Sequence, residues 1–259
     1  MKALLCAFLG FVACAAAAQA AAAQDVLVIG EVHDNPAHHR VQAERVARLG
    51  PGAIVFEMLT PEQARAITPD NRSDPVALAQ ALDWAASGWP DFAMYFPIFA
   101  AAPDARIHGA GLTRDQARAV MKEGGQGPMR DVAARYGLDR PLPADQQAAR
   151  EALQKRAHCN ALPDDMLPGM VRIQRLRDAL LARAALNAYR ESGGPVAVIT
   201  GNGHARRDWG MPALLARVAP GLDIHVIGQT EDGAPLDGDF DEILSAPAPE
   251  REDPCAAFR

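Results

Sequence analysis

Short apolar runs recur along the chain at Val26–Ile29, Ala53–Phe56 and Val196–Ile199, and a fourth, Ile224–Ile227, holds one polar residue, His225. Runs of this length, rich in β-branched residues and closed by glycine or a charge, predict strands buried on both faces. A short run near Ala105–His108 and an edge candidate at Phe240–Leu244 extend the set. Between these runs the pattern changes period. Asn35-Pro36 opens a helix over Ala37–Leu49, with Val41, Val46 and Leu49 on its apolar face and Gly50-Pro51-Gly52 as its stop. Thr60-Pro61 opens a second helix, Asp74-Pro75 a third over Val76–Ala86, and Pro212–Val218 forms another. From Thr113 to Tyr189 no strand pattern occurs. Gly124–Gly127 and the proline-containing Leu138–Pro143 divide that stretch into helices, the last running from Pro163 to Tyr189. Strands alternating with helices imply an α/β fold, a mostly parallel sheet flanked by helices and joined by right-handed crossovers. The helical stretch is too long for one crossover. The expected division is an α/β domain over 24–112 and 193–259, with a smaller all-helical subdomain, 113–192, inserted in it.

The first 23 residues stand outside this pattern. Lys2 is the only charge before Asp25, and 3–18 is an uncharged, mostly apolar run. It is too short to span a membrane and reads as a secretory signal peptide. Two cuts compete. One lies near Ala18-Gln19-Ala20. The other precedes Cys14, where Phe11-Val12-Ala13-Cys14 approaches a lipobox but carries Phe where Leu is usual. The mature protein is therefore expected in the periplasm, free or held to the cell envelope by a lipid anchor at Cys14. The full sequence has a formal charge of −6, and removal of Lys2 makes the mature chain one more negative, which argues against nucleic acid as a partner. Cys159 and Cys255 remain after export, and an oxidising compartment favours a disulfide between them.

In a parallel sheet, ligands bind beyond the carboxyl ends of the strands. Those ends carry Glu31 and His33, Glu57, His108, and Asn202 with His204. The first and fourth strands share one ending, an apolar run followed by Gly-x-x-His, at Gly30–His33 and Gly201–His204. Imidazole and carboxylate are ligands for borderline divalent metals and also general acids and bases. One reading is thus a divalent-metal-dependent, peptidase-like hydrolase, with the metal on His33, Glu57 and His204 and with Glu31 as general base. His38 and His39, in the first helical turns, read as solvated, and His225 as structural.

A second reading starts from the aromatic stretch holding Trp84, Trp89, Phe92, Tyr95, Phe96 and Phe99. Such a wall with one phenol suits a flat apolar ligand such as a porphyrin, with tyrosine on ferric iron. On the long helix Arg172, Arg175 and Arg177 alternate with Gln174 and Asp178, the latter two sharing a face. Arginines there either form a solvated, internally paired face or meet the anionic groups of a ligand, such as propionates.

Taken together, Gly30-Glu-Val-His33, Phe56-Glu57-Met58, Ser87-Gly88-Trp89-Pro90 through Tyr95, His158-Cys159, Met170–Asp178 and Gly201-Asn-Gly-His204 resemble the ChaN family of the Tiki-like superfamily. The resemblance covers most of the mature chain. It implies a haem-binding protein of iron uptake without turnover. It further implies haem held in a homodimer between two subunits, with a tyrosine on iron and a histidine near the propionates. Carried onto this sequence, the iron ligand is Tyr95, with Tyr189 as the competing choice, and Trp89, Phe92, Arg172 and Arg175 surround the cofactor. Other branches of the superfamily are metal-dependent peptidases or esterase-like enzymes that use positions matching Gly30–His33, Glu57 and His204.

Overall fold

The structure, a computed structural model, describes residues 24–123, 130–253 and 255–256. The segment expected to be a signal peptide, with Cys14, and the glycine break at 124–127 lie outside the described residues. Among the described residues no helix is long and apolar enough to cross a membrane.

Six strands form one parallel sheet: β1 (Val26–Ile29), β2 (Ala53–Phe56), β3 (Arg106–Gly109), β4 (Val196–Ile199), β5 (Ile224–Glu231) and β6 (Glu242–Ala246), in the order β3-β2-β4-β1-β5-β6. β1, β2 and β4 match their apolar runs residue for residue, because each is buried along its whole length. β5 continues four residues past its apolar run, since Gly228–Glu231 pairs with β6. β6 itself begins two residues later than Phe240, whose ring instead packs beside Gly228.

The helices are α1 (Pro36–Leu49), the short α2 (Pro61–Arg65), α3 (Pro69–Arg72), α4 (Pro75–Ala81) and α5 (Trp84–Ser87), then α6 (Phe92–Ala101), α7 (Arg114–Glu123), α8 (Arg130–Tyr136), α9 (Ala144–Ala157), α10 (Leu167–Ser192), α11 (Asn202–Ala205) and α12 (Met211–Val218). Asn35 caps α1 by accepting the Ala37 N–H at 2.9 Å, and Gly50 ends it in the left-handed region. The single helix expected over Val76–Ala86 is broken into α4 and α5. Asp83 takes φ 46°, which re-aims Trp84 into the core.

Strand alternation divides the core. Leu27, Ile29, Ile54 and Phe56 face α1 and α6, where Phe56 stacks on Phe99 at 4.4 Å. Val26, Val28, Val55 and Val198 face α10 and α12. The 26 residues of α10 cross β2, β3 and β4 and also carry α7, α8 and α9. Cys159 and Cys255 form a disulfide with Cα atoms 5.5 Å apart, joining the residues after α9 to the C-terminal tail.

One topological fact positions the site. β4 enters the sheet between β1 and β2, although more than half of the chain separates it from them in order. The loops after β1, β2 and β4 are therefore neighbours at one edge, where the strand order reverses.

Candidate functional site

Two glycines let the β1 and β4 loops interlock. A side-chain carbon on Gly30 would lie 2.4 Å from Asn202 Oδ1; one on Gly201 would lie 3.0 Å from both Cε1 and Nε2 of His33. Each Gly-x-x-His loop thus makes room for a side chain of the other. Asn202 is held there by Gln229, donating to its carbonyl at 2.7 Å and accepting its N–H at 2.9 Å.

Glu31 is buried, and both its oxygens are engaged. Oε1 accepts from Tyr95 OH at 2.9 Å and from the His33 ring at 2.6 Å, while Oε2 accepts from Gln42 at 2.6 Å. A carboxylate so fully occupied orients its neighbours and has little capacity left to act as a general base on a substrate. Burial opposes the charge on His33. The Glu31 hydrogen bond and the carboxylates of Glu57 and Glu31 outweigh it and raise the imidazole to about 9.

His38 and His39, expected in solvent, are buried beneath this loop. His38 accepts the Val32 N–H at 3.0 Å and donates to Thr230 O at 3.2 Å, a neutral tautomer consistent with burial lowering its proton affinity. His39 donates to His33 O at 2.8 Å. Together they fix the backbone that carries Glu31 and His33.

Glu57, at the tip of β2, accepts from Thr200 Oγ1 at 2.6 Å and from Gly201 N–H at 2.9 Å. Its other oxygen faces His204 Nε2 at 3.6 Å and Arg177 at 3.9 Å. Burial opposes its ionisation, yet the charges of His204 and His33 and the two hydrogen bonds hold the carboxyl at about 2. His204 lies between two carboxylates, with Nδ1 2.6 Å from Asp178 Oδ1. Burial disfavours its cation, but Glu57 and Asp178 outweigh that and raise the imidazole above its ordinary range.

These groups form one wall of a cavity of ≈ 620 Å³, inside the range of small-molecule and cofactor sites. Trp89 stands at its edge with its ring 4.9 Å from that of His33. α9 contributes Arg150, Leu153 and Ala157, followed by His158, and α10 contributes Val171, Gln174, Arg177 and Asp178. Trp209 completes the lining, with the Arg206 guanidinium 3.6 Å from its ring centroid. The Nε atoms of Arg150 and Arg177 are buried without a hydrogen-bond partner.

Of the residues expected around a ligand, Glu31, His33, Glu57, Trp89 and His204 meet here. Tyr95, Phe92, Arg172 and Arg175 do not line the cavity. Tyr95 is fully buried behind Glu31, and burial together with the Glu31 charge pushes its phenol far upward, so it keeps its proton. Phe92 packs on Trp84 at 5.1 Å and Phe99 at 5.9 Å. Arg175 turns away to the carbonyls of Gly137 and Arg140, and the Arg172 Nε is buried without a partner. His108 does not reach the cluster either: it sits inside β3, 3.7 Å from Glu191, in a separate cavity. Asp178, Arg150, His158 and Trp209 are the lining residues that sequence reasoning gave no individual role; the shared face of Gln174 and Asp178 was the available signal.

The divalent-metal reading of His33, Glu57 and His204 is not supported. Among the described residues no group of three or more His, Cys, Asp or Glu side chains is arranged to hold a metal ion. Glu31 and Asp178 hold Nδ1 of the two histidines, and backbone and hydroxyl donors occupy one Glu57 oxygen.

The fold has a solved relative. The structure titled "Cofacial heme binding to ChaN of Campylobacter jejuni" is 18% identical, with a TM-score of 0.59, and the match covers 84% of this chain and 86% of that one. The type III effector HopBA1 is 14% identical, with a TM-score of 0.47 over 86% of this chain and 88% of its own. No curated protein matches the sequence. Residues 17–215 match the family described as "Haem-binding uptake, Tiki superfamily, ChaN". A match over that much of the sequence places the chain in the ChaN family of haem-binding uptake proteins.

Proposed function

We propose that this protein binds haem in the cavity at the strand tips and serves haem or iron acquisition in the cell envelope. The observation that carries the reading is the chemistry of the lining. Indole and aliphatic side chains lie beside imidazoles and two guanidiniums whose buried Nε atoms lack an acceptor. A porphyrin asks for that combination: apolar surface for the macrocycle, cations for its carboxylates and a donor atom for iron. Bound haem would supply a ferric centre, while the chain binds and orients it. Trp89 and Trp209 are assigned to the ring, and Arg150 and Arg177 take the propionate role first expected of Arg172 and Arg175.

Membership of the haem-binding family supports the same ligand. The inserted helical stretch 113–192 acts in this reading as a subdomain that caps the sheet edge. The N-terminal 23 residues direct export, with release into the periplasm or anchoring at Cys14. A second copy closes the open side of the cavity, giving a homodimer on haem binding. Haemin titrated into the exported chain should give a saturable, red-shifted Soret band, with the dimer appearing in sedimentation only when haem is present. A spectrum equal to the sum of free haemin and protein refutes the assignment.

A further inference from the structure

A second cavity, of ≈ 230 Å³, adjoins the first. The 137–142 stretch between α8 and α9 borders it, together with α9, α10 and α12. Arg150, Asp178 and Trp209 line both cavities, so the two share a wall. Its charge is one-sided. Arg140, Arg150, Arg175 and Arg217 meet there with one carboxylate among the described residues, Asp178, which is already engaged by His204 Nδ1 at 2.6 Å. Leu138, Leu142 and Leu214 make the rest of the lining largely apolar.

Neutral acceptors hold these guanidiniums in place. Arg175 Nη2 donates to the carbonyls of Gly137 at 3.2 Å and Arg140 at 3.1 Å, Arg217 Nη1 to that of Tyr136 at 3.3 Å, and Arg150 Nη2 to Gln146 Oε1 at 3.3 Å. Gly137, at φ 70°, makes room for one of them: a side-chain carbon there would overlap the Arg217 guanidinium. Among the described residues none of the four arginines forms an ion pair. A guanidinium has five N–H donors, so each keeps several after these bonds, and the Arg150 Nε is buried with no acceptor. Burial works against the cations of Arg150 and Arg175 and lowers both below the usual arginine range. Asp178, with Asp208 near Arg150 and Asp139 near Arg175, offsets only part of that.

Partly desolvated cations of one sign, gathered without a counter-charge, are stabilised by an anion that enters among them. Apolar walls strengthen the attraction, and guanidinium forks match the paired oxygens of phosphate and carboxylate groups. We propose that this second cavity binds a small multivalent oxyanion, a phosphate or a polycarboxylate, on Arg175 and Arg217, with Arg140 and Arg150 completing the cradle. Arg140, Arg175 and Arg217 do not line the large cavity, so this site stands whether or not haem occupies that one. Arg175, expected from the sequence to meet the anionic groups of a ligand, meets them here instead.

The test is calorimetric titration of inorganic phosphate and of citrate into the full exported chain, haem-free and with its disulfide intact, at an ionic strength fixed with sodium chloride. At least one anion should bind saturably at one site per chain and raise the thermal midpoint, and the tighter of the two assigns the site to phosphate or to polycarboxylate chemistry. Arg175→Gln and Arg217→Gln should each weaken that binding by at least about tenfold. Arg217→Lys, which keeps the charge and loses the fork, should weaken it less. Arg118→Gln removes an exposed arginine that lines neither cavity and should leave the affinity unchanged. Arg217 is itself exposed, so its variants should keep the wild-type far-UV circular dichroism and urea midpoint, which separates loss of the site from misfolding. The proposal is overturned if neither anion binds beyond the sodium chloride control, or if Arg175→Gln and Arg217→Gln keep full affinity. It is overturned equally if Arg118→Gln loses as much affinity as Arg217→Gln, since surface charge alone would then account for the binding.

Discussion

The buried charge cluster makes a quantitative claim about Glu57. The carboxyl is held at about 2 against an ordinary 4.5, a difference equivalent to about 3 kcal/mol of folding stability. Because the folded-state value is the lower one, this contribution is present in full above pH 4.5 and is lost as pH falls through 2. About 2 of those 3 kcal/mol should be gone by pH 3. Glu57→Gln keeps an acceptor for Thr200 and the Gly201 N–H but removes the charge that faces His204 and Arg177. The variant should therefore be less stable than wild type by about 3 kcal/mol at pH 7 and by only about 1 kcal/mol at pH 3. In urea at pH 7 that corresponds to a midpoint lower by about 1 M for a chain of this size. The comparison is made between two proteins at each pH, so the other carboxyls, which titrate in both, cancel to first order. A penalty of the same size at pH 7 and pH 3 would show that Glu57 contributes shape and hydrogen bonding alone, and would refute the charge argument.

Other consequences follow from the same contacts. Asp178→Asn should cost about 3–5 kcal/mol, because His204 loses one of its two flanking charges in a buried setting; an unchanged urea midpoint contradicts this. The His33 ring should titrate near pH 9 by NMR, and Glu31→Gln should move it back toward 6.5. The stability it contributes is present below 6.5 and lost as pH rises through 9, and a native midpoint below 7 would show the Glu31 bond to be weak. Tyr95→Phe removes a charge-assisted hydrogen bond and should lower stability by about 1.5–3 kcal/mol, read from the thermal midpoint of ligand-free protein. The Cys159→Ser, Cys255→Ser double variant opens a 96-residue separation and should lose about 2–5 kcal/mol by chain-entropy reasoning.

Much of the fold was legible because burial and pattern coincide. Val26–Ile29, Ala53–Phe56 and Val196–Ile199 are inner strands covered on both faces, so each reads as an unbroken apolar run with sharp ends. β3 is an edge strand with exposed and half-buried positions, and its limits came out one residue early. That slip decides the fate of His108. Read as the last strand residue, it belongs at the ligand edge. As the third residue of Arg106–Gly109, it alternates with Ile107 and points toward α10 and Glu191. Asp178 was obscured for a different reason. Among Arg172, Arg175 and Arg177, an acid at helical spacing looks like part of a solvated, internally paired stripe. Which side of α10 is dry depends on how the helix rolls over the sheet, and no local pattern encodes that roll. Tyr95 fails in the same way, since only the packing of α6 on α1 places its hydroxyl beneath Glu31.

The paired Gly-x-x-His loops were visible as a repeat, but their physical meaning lies in the glycines as much as in the histidines. Gly30 admits Asn202, and Gly201 admits the ring of His33, so the two loops are keyed to each other before any ligand arrives. The keyed pair supplies a charged, rigid floor in which each histidine already has a carboxylate partner. Across the cavity α9 and α10 bring Arg150 and Arg177, whose Nε atoms are buried without a partner, and His158 follows α9. The division of labour follows from the topology. The sheet edge, fixed by strands buried on both faces, can sustain a costly charge cluster. The opposite wall, on α9 and α10, adds guanidinium groups to the lining.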